Sequence, residues 1–406
     1  MKNTHSVAIL GFGVVGGGVA RLITDNASEL EKYLGKRVEI SHILDLRDFP
    51  DSPFASLITH DFNDILNDGD TDTVIEVMGG SHPAYEFTVS ALRAGKSVIT
   101  SNKEVVANFG DEFLRIAREN GVSYRFEAAV GGGIPVIETM ISSVRQNKIK
   151  EVRGILNGTT NYILTKMFTY GDSFDCALKD AQERGYAERN PDADILGTDA
   201  SRKIAILTAL ATGMLPDVNG IPTEGITGIR AEDVRAAEGL GHKIKLLGRC
   251  IKDENGAVTV CVCPFLLPSD SPLAGVSDVY NAVEIIADPL ENIMLYGRGA
   301  GAGPTASAVV GDLIPIVSQD GKCSPAPHFV RSGDCAVSAF ESFECRRYIV
   351  VPMEYAKAAE DIFGSITPLI GEESFAFVTE RMSERDAEAK ISKLGAPVIS
   401  RIRFLD

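Results

Sequence analysis

Val7-Ala-Ile-Leu10, Gly11-Phe-Gly-Val-Val-Gly16-Gly-Gly18 and Val19-Ala-Arg-Leu-Ile-Thr24 run together without a break, and they decide the fold. A short apolar strand enters a glycine turn, and the turn opens a segment with helical periodicity. Gly11, Gly13 and Gly16 form G-x-G-x-x-G in the strand–turn–helix setting that the pattern requires. Each glycine has its own reason. Gly11 makes the tight turn, Gly13 lets backbone approach a pyrophosphate, and Gly16 brings the helix close to the strand. Phe12, Val14 and Val15 fill the turn between them, and the helix N-terminus then offers N–H groups to phosphates. The spacing predicts an α/β fold of the doubly wound Rossmann type with a bound dinucleotide.

Working outward, the second strand at about Arg37–Leu44 ends in Asp45-Leu-Arg47. An acid there accepts the ribose 2′-OH of NAD, and an arginine suits the 2′-phosphate of NADP. Both are present, so NAD and NADP stay open. Thr73–Met78 reads as a buried strand ending at Gly79-Gly80, and Ala84–Ala94 as a helix. Ser97-Val-Ile-Thr100 is a strand followed by Ser101-Asn-Lys103. Ligands bind at the carboxyl ends of such strands, which puts Gly79, Thr100, Ser101 and Lys103 towards the cofactor. Ser123–Glu127 is expected as another strand, and Ala128–Pro135 as a glycine loop rich in exposed carbonyls. Gly297–Gly303 is a second glycine turn before a helix; either it returns the chain to the nucleotide domain, with Gly301 as a further cofactor contact, or it is a tight packing turn.

Two later stretches carry polar chemistry. Asn157-Gly-Thr-Thr-Asn161 opens a helix and suits a carboxylate, or serves simply as an N-cap cluster. Gly185–Lys203 holds Glu188, Asp192, Asp194 and Asp199 before a helix on which Lys203 follows Asp199 by one turn. Acids leading to a placed lysine suit an ammonium-bearing substrate that exchanges a proton. The plainer reading is an acidic surface loop with Thr198 as helix cap. Pro325–Asp334 looks like a linker, and alternating strands and helices follow from Arg346.

Composition narrows the classes. The chain has 406 residues, 44% hydrophobic and 24% charged, with a formal charge of −16. That balance disfavours nucleic acid and anionic membrane as partners. Seven cysteines without C-x-x-C argue against disulfides or a structural zinc and fit a reducing cytoplasm.

With these motifs placed, the sequence closely resembles the homoserine dehydrogenases. The resemblance rests on Ile9–Gly16, Ile75–Gly80, Val98–Lys103, Phe126–Pro135, Gly154–Asn161, Gly185-Tyr-Ala-Glu188, Asp194, Gly197–Lys203 and Gly299–Ala306. It implies reversible NAD(P)-dependent interconversion of L-aspartate 4-semialdehyde and L-homoserine in threonine, methionine and isoleucine biosynthesis. Lys203 matches the proposed acid/base, and Lys103 the lysine beside it that also meets cofactor. Glu188 and Asp199 match residues holding the substrate's amino end, with Asp194 close by; Gly158 and Thr159 fall at substrate-contacting positions. In some members a monovalent cation, Na⁺ or K⁺, sits on the loop matching Glu127, Val130, Gly132 and Ile134. The family's dimers and tetramers imply a homo-oligomer. The family usually has Asp where Asn190 stands.

The expected organisation is a dinucleotide-binding domain over 1–135, completed by about 300–322, and an α+β substrate-binding, catalytic and dimerisation domain over 136–299. A linker at 323–345 then leads to a short module at 346–406 that resembles the amino-acid-sensing ACT fold, with threonine as the implied effector. No aspartate kinase domain is expected ahead of the glycine turn. An acylating semialdehyde dehydrogenase would need a thiolate, and no cysteine lies in these motifs. A cofactor-sensing regulator would need neither lysine nor the acidic run.

Overall fold

A computed structural model of the chain describes residues 3–319, 327–331, 340–369 and 374–405. The chain divides into two compact units: Met1–Lys148, Ala205–Val218 and Gly297–Ser332 form the first, and Ile149–Ile204, Asn219–Tyr296 and Gly333–Asp406 the second.

The first unit is built on a six-stranded sheet of β1 (Thr4–Leu10), β2 (Arg37–Leu44), β3 (Ile58–Thr59), β4 (Thr71–Glu76), β5 (Ser97–Thr100) and β6 (Tyr124–Arg125). The strand order is β3-β2-β1-β4-β5-β6, and every pairing is parallel. Strands covered on both faces read as continuous apolar runs, as Val7–Leu10 does with no exposed surface. The helices Val14–Asp25 and Ala302–Ser318 close one core around β1, where Val19, Ala20 and Ile23 meet Ala306, Val309 and Leu313. The helix after the second glycine turn thus returns to the first sheet. The strand expected over Ser123–Glu127 shortens to β6, because the Glu127 N–H donates to Asp312 Oδ2 at 2.7 Å instead of to a ladder. A 3₁₀ turn, Glu127–Ala129, takes its place.

The second unit holds β7 (Lys148–Ile155), β9 (His242–Lys252), β10 (Val258–Pro268), β11 (Tyr280–Asp288) and β12 (Glu291–Arg298), while β8 (Met214–Leu215) belongs to the first unit and pairs with β13 (Val330–Arg331). Further on come β14 (Glu344–Cys345), β15 (Arg347–Pro352), β16 (Ile366–Leu369), β17 (Ser374–Thr379), β18 (Met382–Ser383) and β19 (Ser400–Phe404). Among the described residues nine strands form one mixed sheet in the order β12-β11-β7-β9-β10-β19-β15-β17-β16. From β15 onward the chain alternates β-α-β-β-α-β with its own core of Ile349, Val351, Phe363, Phe377 and Leu394. The tail is not a separate body, however. β19 runs parallel to β10, with Phe265 opposite Arg403, and antiparallel to β15, so the last strand is stitched into the second unit's sheet. Of the expected linker at 323–345, residues 323–326 and 332–339 lie outside the described residues.

Arg347 and Arg403 are fully buried and converge on Glu384, with N–O distances of 2.7 Å each. Such a cluster is tolerable only while every charge is compensated. Among the described residues no helix is long and apolar enough to cross a membrane. Because β10 and Leu405 share the second unit's core, removing residues 346–406 should abolish cooperative unfolding of that unit. Circular dichroism during thermal melting checks this, and a truncated chain with an unchanged second transition would contradict it.

Candidate active site

In the first unit β1 delivers the chain into the glycine turn, where the Gly11 N–H donates to Leu44 O at 2.8 Å. Gly11 takes φ 96°, and a Cβ on Gly16 would stand 1.9 Å from Gly11 O, so no side chain fits there. The helix Val14–Asp25 starts from Gly13 without a side-chain cap, leaving its first N–H groups available to an anion. Nothing lies within 4 Å of a Cβ placed on Gly13, Val14 is exposed and Val15 half-buried. The Phe12 ring packs edge-on against Phe49 and Phe54, and its N–H donates to Asp45 Oδ2 at 2.8 Å. Arg47 grips the same carboxylate through Nε and Nη2, each at 3.0 Å. That guanidinium, opposed by partial burial and aided by the Phe12 N–H, holds Asp45 down to about 2.

The ends of β4 and β5 are locked together by a buried acid. Glu76 accepts from Met78 N at 2.8 Å through one oxygen and from Thr100 Oγ1 at 2.6 Å through the other. Burial raises its affinity for a proton against those two bonds. Ser101 N donates to Glu76 O, and Asn102 ties its side-chain N–H to Gly80 O at 2.7 Å while its oxygen caps the helix Lys103–Glu119. Lys103 is therefore the first residue of a capped helix at the strand end. Gly79, at φ 145°, lies in the same pair of turns, and Gly301, at φ 119°, precedes the helix Ala302–Ser318.

The glycine loop encloses Glu127, 6% exposed, whose oxygens accept from Ile137 N at 2.8 Å and Glu138 N at 2.6 Å. Burial first, and then the neighbouring Asp312, push Glu127 up to about 8. Asp312 is raised to about 6 by burial, with Arg125 acting against it. Val130 is buried, Gly132 takes φ 59°, and Ile134 O accepts from Val136 N at 2.8 Å. Among the described residues no group of three His, Cys, Asp or Glu side chains could hold a metal ion.

In the second unit the polar groups converge on a buried lysine. Lys203 meets Asp199 Oδ2 at 2.7 Å and donates to Leu156 O at 2.7 Å. Asp199 and Lys203 are 6% and 8% exposed. Asn157, the N-cap of the helix Gly158–Tyr170, donates its side-chain N–H to Asp199 Oδ2 at 2.9 Å and to Asp194 Oδ1 at 2.7 Å. One amide thus spans two carboxylates, of which Asp199 is the one paired with the lysine. Burial raises Asp194 above the usual carboxylate range, with the Asn157 bond opposing and the Asp199 charge adding. Thr159 donates to Tyr186 O at 2.6 Å, fixing the acidic segment to the helix start where Gly158 stands. The helix carrying Lys203 begins at Thr198, so Thr198 is its first residue rather than the expected cap; Gly197, at φ 87°, turns the chain into it.

A family model described as homoserine dehydrogenase matches residues 135–314, and one described as its NAD-binding domain matches residues 11–127. A homoserine dehydrogenase of Neisseria gonorrhoeae is 37% identical over 384 residues, 91% of this chain and 86% of that protein. The chain belongs to the homoserine dehydrogenase family. The crystal structure of the Thiobacillus denitrificans homoserine dehydrogenase superposes with a TM-score of 0.90 at 34% identity, covering 99% of this chain and 98% of that one. A hyperthermophilic archaeal homoserine dehydrogenase mutant in complex with NADPH covers 78% of this chain and 98% of its own, at 28% identity and TM-score 0.67. The chain is an NAD(P)-dependent homoserine dehydrogenase, interconverting L-aspartate 4-semialdehyde and L-homoserine in amino-acid biosynthesis.

Asp194, Asp199 and Lys203 of this homoserine dehydrogenase are joined in one polar network through Asn157, and Gly158 and Thr159 follow Asn157 directly at the helix start. Glu188 does not join it by any contact described above: it is exposed, and its backbone oxygen accepts from Gln182. Asp192 is exposed as well. Three structuring residues were not singled out from sequence. Asn157 was visible only as part of a capping turn. Glu76, an acid inside an otherwise apolar strand, was the available signal at β4, and Asn102 stood unnoticed beside Lys103.

Proposed function

We propose that Lys203 is the acid/base of the reaction, and the observation that carries this is its ammonium fixed at 2.7 Å to both Asp199 and Leu156 O. A nicotinamide, when bound, supplies the hydride to the aldehyde carbon or takes it from the alcohol carbon. Lys203 gives the oxygen its proton in reduction and receives it in oxidation. Its charge stabilises developing alkoxide, and Lys103, at the end of β5, is the lysine assigned to the cofactor. Asp194 and Asp199 bind the substrate ammonium, and Glu188 adds a third acid from the exposed loop. Gly158 and Thr159, at an N-terminal turn, receive the carboxylate.

Gly11, Phe12, Gly13, Val14, Val15 and Gly16 cradle the pyrophosphate, and Gly79, Thr100, Ser101 and Gly301 line the rest of the cofactor site. The Asp45–Arg47 pair offers an acceptor for a 2′-OH and a cation for a 2′-phosphate, which supports use of both NAD and NADP. The loop of Glu127, Val130, Gly132 and Ile134 is the candidate monovalent-cation site: a Cβ on Gly131 would lie 2.4 Å from Ile134 O, so only glycine lets the loop fold its carbonyls back on itself there. Glu127 and the carbonyls would hold Na⁺ or K⁺ and order the loop. The edge position of β12 supports a homodimer or homotetramer. Among the described residues Cys176, Cys261, Cys263 and Cys345 carry free thiols, which supports a cytoplasmic setting.

Homoserine should reduce both NAD⁺ and NADP⁺, faster at alkaline pH, and Lys203→Ala should lower kcat by about 10²–10⁴-fold with cofactor KM little changed. Near-normal turnover of that variant would refute the assignment. Replacing Na⁺ and K⁺ by tetramethylammonium at constant ionic strength should lower the melting temperature; an unchanged melt would remove the cation from the account.

A further inference from the structure

The C-terminal strand reaches the segment that bears Asp194 through a single acid that has no part in the proposed reaction. Arg403, fully buried in β19, makes two forks. Its Nε and Nη2 donate to Glu384 at 2.7 and 3.0 Å, and its Nη1 and Nη2 donate to Glu224 at 2.8 Å each. Arg401, two residues earlier on the same face of the strand, adds a third bond to Glu224 Oε1 at 2.9 Å. A planar guanidinium holding a carboxylate by two parallel bonds fixes its direction as well as its charge.

Glu224 belongs to a strap that touches the acidic segment at the next residues. Its own N–H donates to Val262 O at 2.7 Å, and Thr223 bridges Val262 of β10. Ile226 N donates to Ile195 O at 2.9 Å, and a Cβ on Gly225 would lie 2.1 Å from that same oxygen. Ile195 ends the short helix Asp192–Ile195 and follows Asp194 directly. The strap is thus pinned on one side by two tail arginines and pressed on the other against the residue after Asp194. All of these groups lie in the second unit.

We propose that Glu224, held by Arg401 and Arg403, is a positioning residue for the substrate-binding carboxylate of Asp194. The proposal rests on the reading of Asp194 as a contact to the substrate ammonium. Neutralising Glu224 loosens the strap from the tail, lets Ile195 O move, and weakens the grip of Asp194 on homoserine while leaving the cofactor site intact. The tail then acts on substrate affinity without contributing a group to the chemistry.

Steady-state kinetics on the full-length enzyme test this with Glu224→Gln and Asp194→Asn, singly and combined. Glu224→Gln should raise KM for homoserine about ten-fold, with kcat and cofactor KM changed by less than about two-fold. The double variant should add less than about two-fold to the KM of Asp194→Asn, because coupled residues are not additive. An unchanged homoserine KM in Glu224→Gln, an equal rise in cofactor KM, or full multiplicativity would overturn the proposal. If Asp194→Asn itself leaves the homoserine KM unchanged, the reading of Asp194 fails and takes the proposal with it, a result distinct from the other three. Should Glu224→Gln not fold, Arg401→Gln, at a partly exposed side chain, carries the same comparison.

Discussion

Lys203 brings a positive charge into a place almost closed to water, and the ion pair with Asp199 is what permits it. An uncompensated buried ion costs several kcal/mol, so the lysine, its carboxylate and the Leu156 carbonyl stand or fall together. Asp199 lies one helical turn before Lys203, so the pair is set by the helix itself. Asn157 then extends the arrangement to Asp194. The amide's NH2 group gives one N–H to each of two acids that would otherwise repel each other, and it sits at a helix cap whose position is fixed by its own backbone role. Lys203, the two carboxylates beside it and the start of the helix Gly158–Tyr170 are consequently one unit of structure.

The cofactor half obeys a different constraint, that of close backbone approach. The 1.9 Å between Gly11 O and a Cβ on Gly16 leaves no room for any other residue, which seats the first helix on β1 and opens its N–H groups. Behind the neighbouring strands, Glu76 does by hydrogen bonding what the glycines do by absence. It ties Met78, Thr100 and, through Thr100, Asn102 into one set of turns. A buried acid left without these partners would be costly, so the turns that bear Gly79 and Lys103 share its fate.

Much of this was legible in the residues. The glycine turn, the strand ends at Asp45 and Thr100, the capping turn at Asn157 and the run to Lys203 are local patterns, and local patterns survive folding. What could not be read are pairings distant in sequence. Asn157 contacts Asp194 and Asp199 from 37 and 42 residues away. The pairing of Phe265 with Arg403 in β10 and β19 makes the tail part of the sheet, although its order of elements suggested an attached module. Likewise β6 stops short because Asp312, 185 residues on, claims the Glu127 N–H. Thr198 lost the cap because Gly197 already turns the chain.

The central claim is that the Lys203 ammonium itself moves the proton, rather than merely holding Asp199 in place. Chemical rescue separates the two. In Lys203→Ala, small primary amines added to the assay can enter the vacated space and exchange the proton in place of the side chain. The account predicts that turnover returns with amine concentration and depends on the basicity of the amine, as general acid–base catalysis requires. Rescue by quaternary ammonium ions of similar size, which carry charge but no exchangeable proton, or rates independent of amine basicity, would contradict it.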